Sequence, residues 1–438
     1  MYKKGEAAAE ASRAASPRLV RAVGLFGLTS ISLNGVIGSG IFVLPATVAA
    51  LLGPASPSAY LIAATATALI VLCFAEAGSM FDRTGGPYLY AREAFGSFVG
   101  FEVGWMFLLT RIAAGAAISN AFTAYLGYFW PALGSGAGRA MAITVLISLL
   151  AWLNLVGVRY GSWVVSALTV AKLVPLLLFI SVGMVFADHD RYTLLGFADA
   201  EGLRQASLAL IFAFGGFENA SVPGEEVKDP ERNLPIALLT SIGLVTIIYI
   251  LIQVVALGSL PALASDPTPI ASAGRIFLGP TGAAVITAGA ILSTAGSNSA
   301  LILVGPRILY ALAESRQLPA ALSRIHTVYR TPYLAVIVFA LITWAAALYG
   351  SFAQLVAVSA IARLLFSVTT CLAVPVLRRK MPPAPGRFKL AGGALIPALA
   401  AVISIWLLSG ISWSQAAMGG AALLLGTILY FFFAALKR

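Results

Sequence analysis

The chain has 438 residues, of which 60% are hydrophobic and only 10% are charged, and its mean hydropathy is +0.93. A soluble domain carries about 25% charged residues, so this composition excludes an ordinary soluble protein and indicates a chain that crosses a bilayer many times. The apolar runs lack the alternating polarity of a membrane β-barrel, so the predicted fold is all-α. The net charge of +11 fits basic residues that flank membrane spans better than it fits nucleic-acid binding.

The N-terminal segment 1–20 is polar and basic, and we expect a cytoplasmic tail there rather than a cleaved signal peptide. The rest of the chain is expected to form twelve membrane-spanning helices. Their predicted limits are 22–51, 58–80, 95–127, 139–157, 161–186, 202–222, 234–258, 279–312, 332–349, 353–377, 391–409 and 414–436. With the N-terminus inside, 20 of the 28 Lys and Arg residues fall in cytoplasmic segments and four in outer loops. This bias predicts a multi-pass protein with both termini cytoplasmic, and we expect it in a bacterial-type plasma (inner) membrane.

The first span contains the stretch "GVIGSGIF", which places Gly35, Gly38 and Gly40 near its midpoint. Glycine destabilises a helix by about 1 kcal/mol relative to alanine. Two interpretations stay open on these glycines alone. They allow a neighbouring helix to pack closely, or they mark a point where the span is unwound.

The sixth span contains a second interruption, in "LALIFAFGGFENASVPGEE", where Gly215 and Gly216 are followed by Pro223. Spans one and six would be the first members of two five-helix halves. Interruptions at corresponding positions of two halves are typical of inverted-repeat transporters, whose substrate site lies at the membrane midplane. The pair of interruptions therefore favours unwound helices over close packing.

An unwound helix exposes backbone N–H and C=O groups that cannot be left bare in lipid. The half-helix that begins near Gly40 would offer free N–H groups and the positive end of its dipole to a carboxylate. The carbonyls released near Val36 and Phe214 would suit an ammonium group. A zwitterionic amino acid presents both groups close together, so the pattern predicts an amino acid as the substrate.

Four fragments of the chain form recognisable motifs, which are "NGVIGSGIFVLPA", "AEAGSMFDRTGGPYLYAREAFGSFVGF", "FAFGGFENASVPGEEVKDPERNLPIA" and "RILYALAESRQLPAALSRI" with "RTPYLAV". In this order they resemble the amino acid–polyamine–organocation superfamily of transporters, which share the LeuT-like fold. The resemblance implies secondary transport by alternating access through ten core helices in two inverted halves, with helices one and six unwound and two peripheral helices added. The halves would span 21–186 and 201–377, and the peripheral helices would lie in 390–438.

The resemblance also assigns site residues. Gly38, Ser39 and Gly40 would hold the substrate carboxylate. Val36, Phe212 and Gly215 would receive the amino group through backbone carbonyls, and Phe212 would also act as an aromatic lid. The full set of predicted substrate-binding residues is Val36, Ile37, Gly38, Ser39, Gly40, Arg111, Phe212, Ala213, Phe214 and Gly215.

Lys172 lies near the middle of span five, where a charged side chain costs roughly 2.5–3.5 kcal/mol on insertion scales, so a function is the first hypothesis. Proton-coupled members of the superfamily place a lysine of this helix where sodium-coupled members hold sodium, in contact with helix one and a polar residue of helix eight. Ser297 matches that polar residue. The resemblance implies that Lys172 is a proton-linked switch, and the alternative is a permanently charged anchor bonded to carbonyls.

Three further charges fall within predicted spans. Arg111 in span three would contact the side chain of an acidic substrate, or it would form an internal salt bridge with Glu218 or another buried carboxylate. Glu218 follows the interruption in span six and would serve gating and coupling, or simple pairing. For Arg363 in span ten we expect structural pairing.

These observations predict a secondary active amino acid transporter with proton-coupled uptake, and an amino acid exchanger is the alternative. A channel would need a continuous polar lining, and a membrane enzyme would need a clustered catalytic set, and the sequence shows neither. We therefore predict no catalytic residues, no cofactor and no bound metal. The expected partners are the amino acid, the proton as coupling ion and the lipid bilayer, without nucleic acid. The oligomeric state stays open.

Overall fold

The computed structural model of the chain describes residues 20–193, 200–266, 268–381 and 387–436. Within these ranges the chain forms fourteen α-helices. The first seven are α1 (Leu25–Val36), α2 (Gly40–Leu52), α3 (Ser56–Ser79), α4 (Pro87–Phe95), α5 (Ser97–Phe129), α6 (Gly136–Val156) and α7 (Val158–Phe186). The other seven are α8 (Ala200–Phe214), α9 (Pro230–Ser259), α10 (Pro269–Glu314), α11 (Tyr333–Tyr349), α12 (Phe352–Lys380), α13 (Leu395–Leu408) and α14 (Trp413–Ala435). The predicted all-α class is confirmed for the described residues.

Several helices begin where local chemistry favours a helix start. Pro230 occupies the first position of α9, where its missing N–H costs no hydrogen bond. Before α12, the Ser351 hydroxyl accepts from the backbone N–H of Gln354, whose side chain returns to the Ser351 backbone. Ser412 and Gln415 make the same capping box before α14. These capping boxes fix where α12 and α14 begin.

Eight helical stretches of the described residues are long and apolar enough to cross a membrane. Three shorter apolar helices, α1, α11 and α13, accompany them. Only Gly426 of α14 is buried within the protein, and large apolar side chains of this helix such as Leu424, Ile428 and Phe431 are exposed. The chain is therefore a multi-pass membrane protein, while the number of twelve spans and their inverted-repeat arrangement stay predictions.

Two predicted spans are interrupted near the glycines, as expected, and a third is part of a longer helix. The first, predicted at 22–51, is divided into α1 and α2. The sixth, predicted at 202–222, ends as an α-helix at Phe214. The eighth, predicted at 279–312, is the second part of α10, which bends at Gly279 because that residue adopts a left-handed φ of 67°. Hydropathy alone does not register such backbone changes, since the side chains around them stay apolar.

Long helices surround the divided first span. α1 packs against α7, α9 and α10, while α2 packs against α8. α5 lies between α10 and α12. The break between α1 and α2 is therefore surrounded by α7, α8, α9 and α10. Enclosure by protein is the condition under which irregular backbone is tolerated inside a membrane.

The chain just before α1 is tied to the loop that follows α8. The N–H groups of Ala22 and Val23 donate to the carbonyl oxygen of Glu226 at 3.0 and 2.9 Å, and the N–H of Lys228 donates to the carbonyl oxygen of Val23 at 2.9 Å. Val23 and Val227 form an isolated parallel β-bridge. This end of α1 is therefore closed by backbone hydrogen bonds.

Candidate functional site

The first helix break lies between α1 and α2. α1 ends at Val36 and α2 begins at Gly40, so Ile37, Gly38 and Ser39 connect two helical segments. Ile37 has φ −76° and ψ 84°, which lies outside the helical region. A helix leaves its first N–H groups and its last C=O groups without partners of its own. The break therefore brings backbone donors and acceptors together, as the sequence predicts.

The second break follows α8. After Phe214, Gly216 adopts a left-handed φ of 117°, and a 3-10 turn forms at Phe217–Ser221. A β-carbon on Gly216 would lie 2.1 Å from the carbonyl oxygen of Gly35, and one on Gly35 would lie 2.2 Å from the carbonyl oxygen of Gly216. Only glycine fits at both positions. The two interruptions are therefore in direct contact.

A small cavity of about 30 Å³ lies between the two breaks and α5. Seven of the ten predicted substrate-binding residues line it, namely Val36, Gly38, Ser39, Gly40, Arg111, Ala213 and Gly215. Ile37 and Phe214 are fully buried next to these lining residues. The side chain of Phe212 lies outside the described residues. The cavity is also lined by Arg363 of α12, which the sequence did not place in the site.

The Lys172 side chain is fully buried and points at the first break. Its Nζ donates to the carbonyl oxygen of Ile37 at 2.5 Å. The hydroxyl of Ser297 donates to the same oxygen at 3.1 Å and to the carbonyl oxygen of Asn34 at 2.7 Å. Lys172 and Ser297, which the resemblance pairs, thus meet at one carbonyl that the break releases.

Two residues at the breaks were missed by the sequence analysis. The Tyr249 hydroxyl of α9 lies 3.0 Å from the carbonyl oxygen of Val36 and 3.3 Å from that of Ala213, so it joins the ends of α1 and α8. The Ser293 hydroxyl of α10 donates to the carbonyl oxygen of Ile37 at 3.0 Å. Tyr249 is a polar group inside a long apolar run, whereas Ser293 begins the polar stretch at 293–299 that also contains Ser297. Neither signal alone points to the helix breaks.

A cluster of three charged side chains lies beside the cavity. Nη2 of Arg111 lies 2.6 Å from Oε1 of Glu218, and Nε of Arg363 lies 3.0 Å from the same oxygen. The other carboxylate oxygen of Glu218 accepts from the backbone N–H of Gly216 at 2.8 Å. Both Arg111 and Glu218 are fully buried, and Arg363 is 6% exposed. We call Arg111, Glu218 and Arg363 the midplane triad, after the depth that the sequence predicts for the two breaks.

The midplane triad connects three elements. Arg111 lies on α5, Glu218 lies in the turn after the second break, and Arg363 lies on α12. The Arg111 guanidinium also donates to Oδ1 of Asn219 and lies 4.7 Å from the centre of the Phe107 ring. Of the alternatives left open for Arg111, the structure contains the salt bridge with Glu218. Because Arg111 lines the cavity as well, that bridge does not remove it from the site.

Residues 23–434 match the amino acid permease family. The chain belongs to the amino acid permease family. This permease is 30% identical to the serine/threonine exchanger SteT of Bacillus subtilis, over 93% of this chain and 95% of that protein. It is 28% identical to the branched-chain amino acid permease BcaP of the same organism, over 95% of this chain and 93% of that protein. It is also 28% identical to the large neutral amino acids transporter small subunit 2 of Rattus norvegicus, over 94% of this chain and 80% of that protein.

Membership of this family confirms the resemblance to the amino acid–polyamine–organocation superfamily. The family and these relatives are transporters rather than enzymes. The permease therefore acts on a small molecule at a membrane.

Proposed function

We propose that this permease is a secondary active transporter that carries amino acids by alternating access and couples their uptake to protons. The observation that carries the proposal is the contact of two helix breaks at Gly35 and Gly216, next to a cavity that the first turn of α2 lines. Backbone N–H groups at a helix start attract a carboxylate, and the carbonyls that end α1 and α8 attract an ammonium. An amino acid supplies both.

Alternating access follows from the size and closure of the site. The cavity of about 30 Å³ has room for one or two water molecules and no amino acid, so binding requires the broken helices to separate. The backbone bonds of Ala22 and Val23 with Glu226 close the site beyond the start of α1. We place that end on the cytoplasmic side of a bacterial-type inner membrane, since the Lys and Arg distribution favours cytoplasmic termini. The two halves would be 21–186 and 201–377.

Proton coupling is assigned to Lys172. Its ammonium holds the Ile37 carbonyl at the first break, together with Ser293 and Ser297. Loss of the proton would remove a charge-assisted hydrogen bond from α7 to the break and would free α1 to move. Protonation of one side chain would thereby favour one arrangement of α1. Glu218 would take part in the same movement, because it holds the second break to α5 and α12.

Exchange is the second candidate function. The 30% identity to a serine/threonine exchanger over 93% of this chain favours it. An exchanger uses the same site and the same broken helices, but a bound substrate drives both directions of movement. Uptake that requires amino acid inside the vesicle would identify exchange, whereas uptake into empty vesicles with an inward proton gradient would identify symport.

The test is uptake of labelled amino acids by the purified permease in proteoliposomes, with and without a pH gradient. Gly40→Leu should abolish uptake and substrate binding, because the side chain must push against Ala213 or fill the cavity. Gly40→Ala is the matched control, since a β-carbon at Gly40 lies 3.4 Å from the nearest atom of Ala213, an ordinary contact. Persistent binding by Gly40→Leu would contradict the carboxylate site.

Lys172→Ala tests the coupling. Uptake by this variant should lose its dependence on pH, while substrate-induced thermal stabilisation of the purified protein should persist. Unchanged pH dependence would remove Lys172 from the coupling role and would favour the structural anchor.

A further inference from the structure

The midplane triad has more positive than negative charge. Arg111 and Arg363 share the single carboxylate of Glu218, so the three side chains carry a net charge of about +1, because a guanidinium stays protonated in proteins. The helix ends at the cavity lower this charge without cancelling it. The start of α2 contributes about half a positive charge, and the ends of α1 and α8 each contribute about half a negative charge. An unmatched buried charge is costly, which raises the question of what neutralises it.

The wall of the cavity also holds a hydrogen-bond donor without an acceptor. Nε of Arg111 is buried and has no hydrogen-bond partner among the described residues, although Nη1 and Nη2 of the same guanidinium are both bonded. Buried donors in native proteins nearly always find an acceptor. An orphaned N–H on a cationic side chain that lines a cavity is a position for a ligand oxygen.

Asn219 provides a second donor of this kind. A guanidinium only donates, so Asn219 must present its oxygen to Arg111 and turn its amide nitrogen the other way. That nitrogen, Nδ2, has no partner among the described residues. It faces the first break, since a β-carbon built on Gly35 would lie 2.6 Å from it. The two breaks therefore have hydrogen-bond donors without acceptors, in addition to an excess of positive charge.

We propose that the substrate of this permease is an amino acid with a carboxylate side chain, such as aspartate or glutamate, and this proposal rests on the proposed function. A neutral zwitterion would leave the three side chains with their net charge of about +1. A second carboxylate adds one negative charge and balances it. Its oxygens would accept from Nε of Arg111, while the backbone carboxylate of the substrate would remain at the start of α2.

Arg363 is the specificity-determining residue in this arrangement. Its guanidinium lies directly on the second break, because a β-carbon on Gly215 would be 2.1 Å from its Nη1. Removing its charge leaves Arg111 and Glu218 as a balanced pair. The wall would then be neutral and would suit a neutral amino acid.

The experiment measures uptake of labelled L-aspartate, L-glutamate, L-leucine and L-serine by the full-length permease in proteoliposomes. The wild type is compared with Arg363→Gln, which removes the charge, and with Arg363→Lys, which keeps it. We expect the wild type to prefer the acidic pair. The ratio of aspartate to leucine uptake should fall at least tenfold in Arg363→Gln and should change less than threefold in Arg363→Lys. Competition of unlabelled aspartate against labelled substrate in the wild type is a second measurement that needs no variant.

The outcomes separate this proposal from the proposed function. If the wild type carries leucine or serine and aspartate neither enters nor competes, the acidic substrate is wrong and amino acid transport stands. If none of the four amino acids is carried or bound, both proposals fail. If aspartate is carried but the ratio in Arg363→Gln equals that of the wild type, Arg363 does not determine specificity.

Discussion

Two buried groups of arginine and glutamate differ in their charge balance. Beyond the start of α1, Arg307 donates to both carboxylate oxygens of Glu226, at 3.1 and 2.9 Å, and both side chains are fully buried. The pair joins one guanidinium to one carboxylate through two hydrogen bonds. At the helix breaks, two arginines share Glu218 through one oxygen. The midplane triad therefore lacks the balance that the Arg307–Glu226 pair has.

We compared the two groups to find which feature would distinguish charged residues that bind substrate from charged residues that only hold the fold together. Nη1 of Arg307 also has no partner among the described residues, so an orphaned donor alone does not separate the two groups. The two groups differ in their charge balance and in their position relative to the cavity. Arg111 and Arg363 line the midplane cavity, whereas Arg307 does not. We therefore interpret the Arg307–Glu226 pair as a clamp on the loop that closes the first break.

The largest loss of stability is expected for Glu218→Gln. The change keeps the volume and an acceptor for the N–H of Gly216, but it leaves two buried guanidiniums without a carboxylate. Breaking one buried ion pair costs about 3–5 kcal/mol, so this variant should lose at least that much. Thermal unfolding of the purified protein in detergent measures the loss. The double variant Glu218→Gln with Arg363→Gln restores the original net charge and should recover part of it. A wild-type melting temperature for the single variant would contradict an ionic role for Glu218.

Glu226→Gln should destabilise the permease by about 3–5 kcal/mol, because only one guanidinium loses its partner. Thermal unfolding again provides the measurement. Replacing both partners, as Glu226→Leu with Arg307→Met, should be nearly neutral, since the cost of burying two charges disappears with them. The double variant should also keep the substrate preference of the wild type. A shift in that preference would show that the clamp belongs to the binding wall.

The all-α class and the two helix breaks could be predicted from hydropathy and two glycine clusters. Gly35 and Gly216 allow the two backbones to approach closely, and Gly216 also adopts a left-handed φ. The glycine clusters predicted breaks near Gly40 and Phe214, where the structure contains them. The bend at Gly279 coincides with the predicted start of the eighth span, but the part of α10 before the bend was not predicted.

The candidate site could be predicted only in part. Backbone groups at the breaks followed from helix physics, and the charge of Arg111 was visible at once. Its partner was left open because an ion pair joins residues that are 107 positions apart, and sequence spacing carries no such information. Arg363 and Tyr249 reach the site from α12 and α9, and their direction depends on packing between helices. Tertiary contacts of this kind require the structure.

Gly216→Ala should separate the two helix breaks. The new β-carbon would lie 2.1 Å from the Gly35 carbonyl oxygen, and the left-handed φ of 117° is unfavourable for alanine. We expect a loss of about 1–3 kcal/mol from the backbone strain and a further loss from the clash. Thermal unfolding and amino acid uptake should both decline. The matched control is Gly243→Ala within α9, where a β-carbon meets nothing within 4 Å and alanine favours the helix. Equal melting temperatures for both variants would contradict the close approach.

The smallest effect is expected for Tyr249→Phe, which removes one hydroxyl from the ends of α1 and α8. The change loses the contacts of 3.0 and 3.3 Å to Val36 and Ala213 without altering any charge. A typical hydrogen bond contributes about 0.5–1.5 kcal/mol, so a loss of about 1 kcal/mol is expected in thermal unfolding. Tyr349→Phe is the control, because Tyr349 is 89% exposed. The ratio of acidic to neutral uptake should stay unchanged in Tyr249→Phe, since the proposed basis of that ratio is the charge of the triad. A change in that ratio would mean that geometry at the breaks, and not charge balance, selects the substrate.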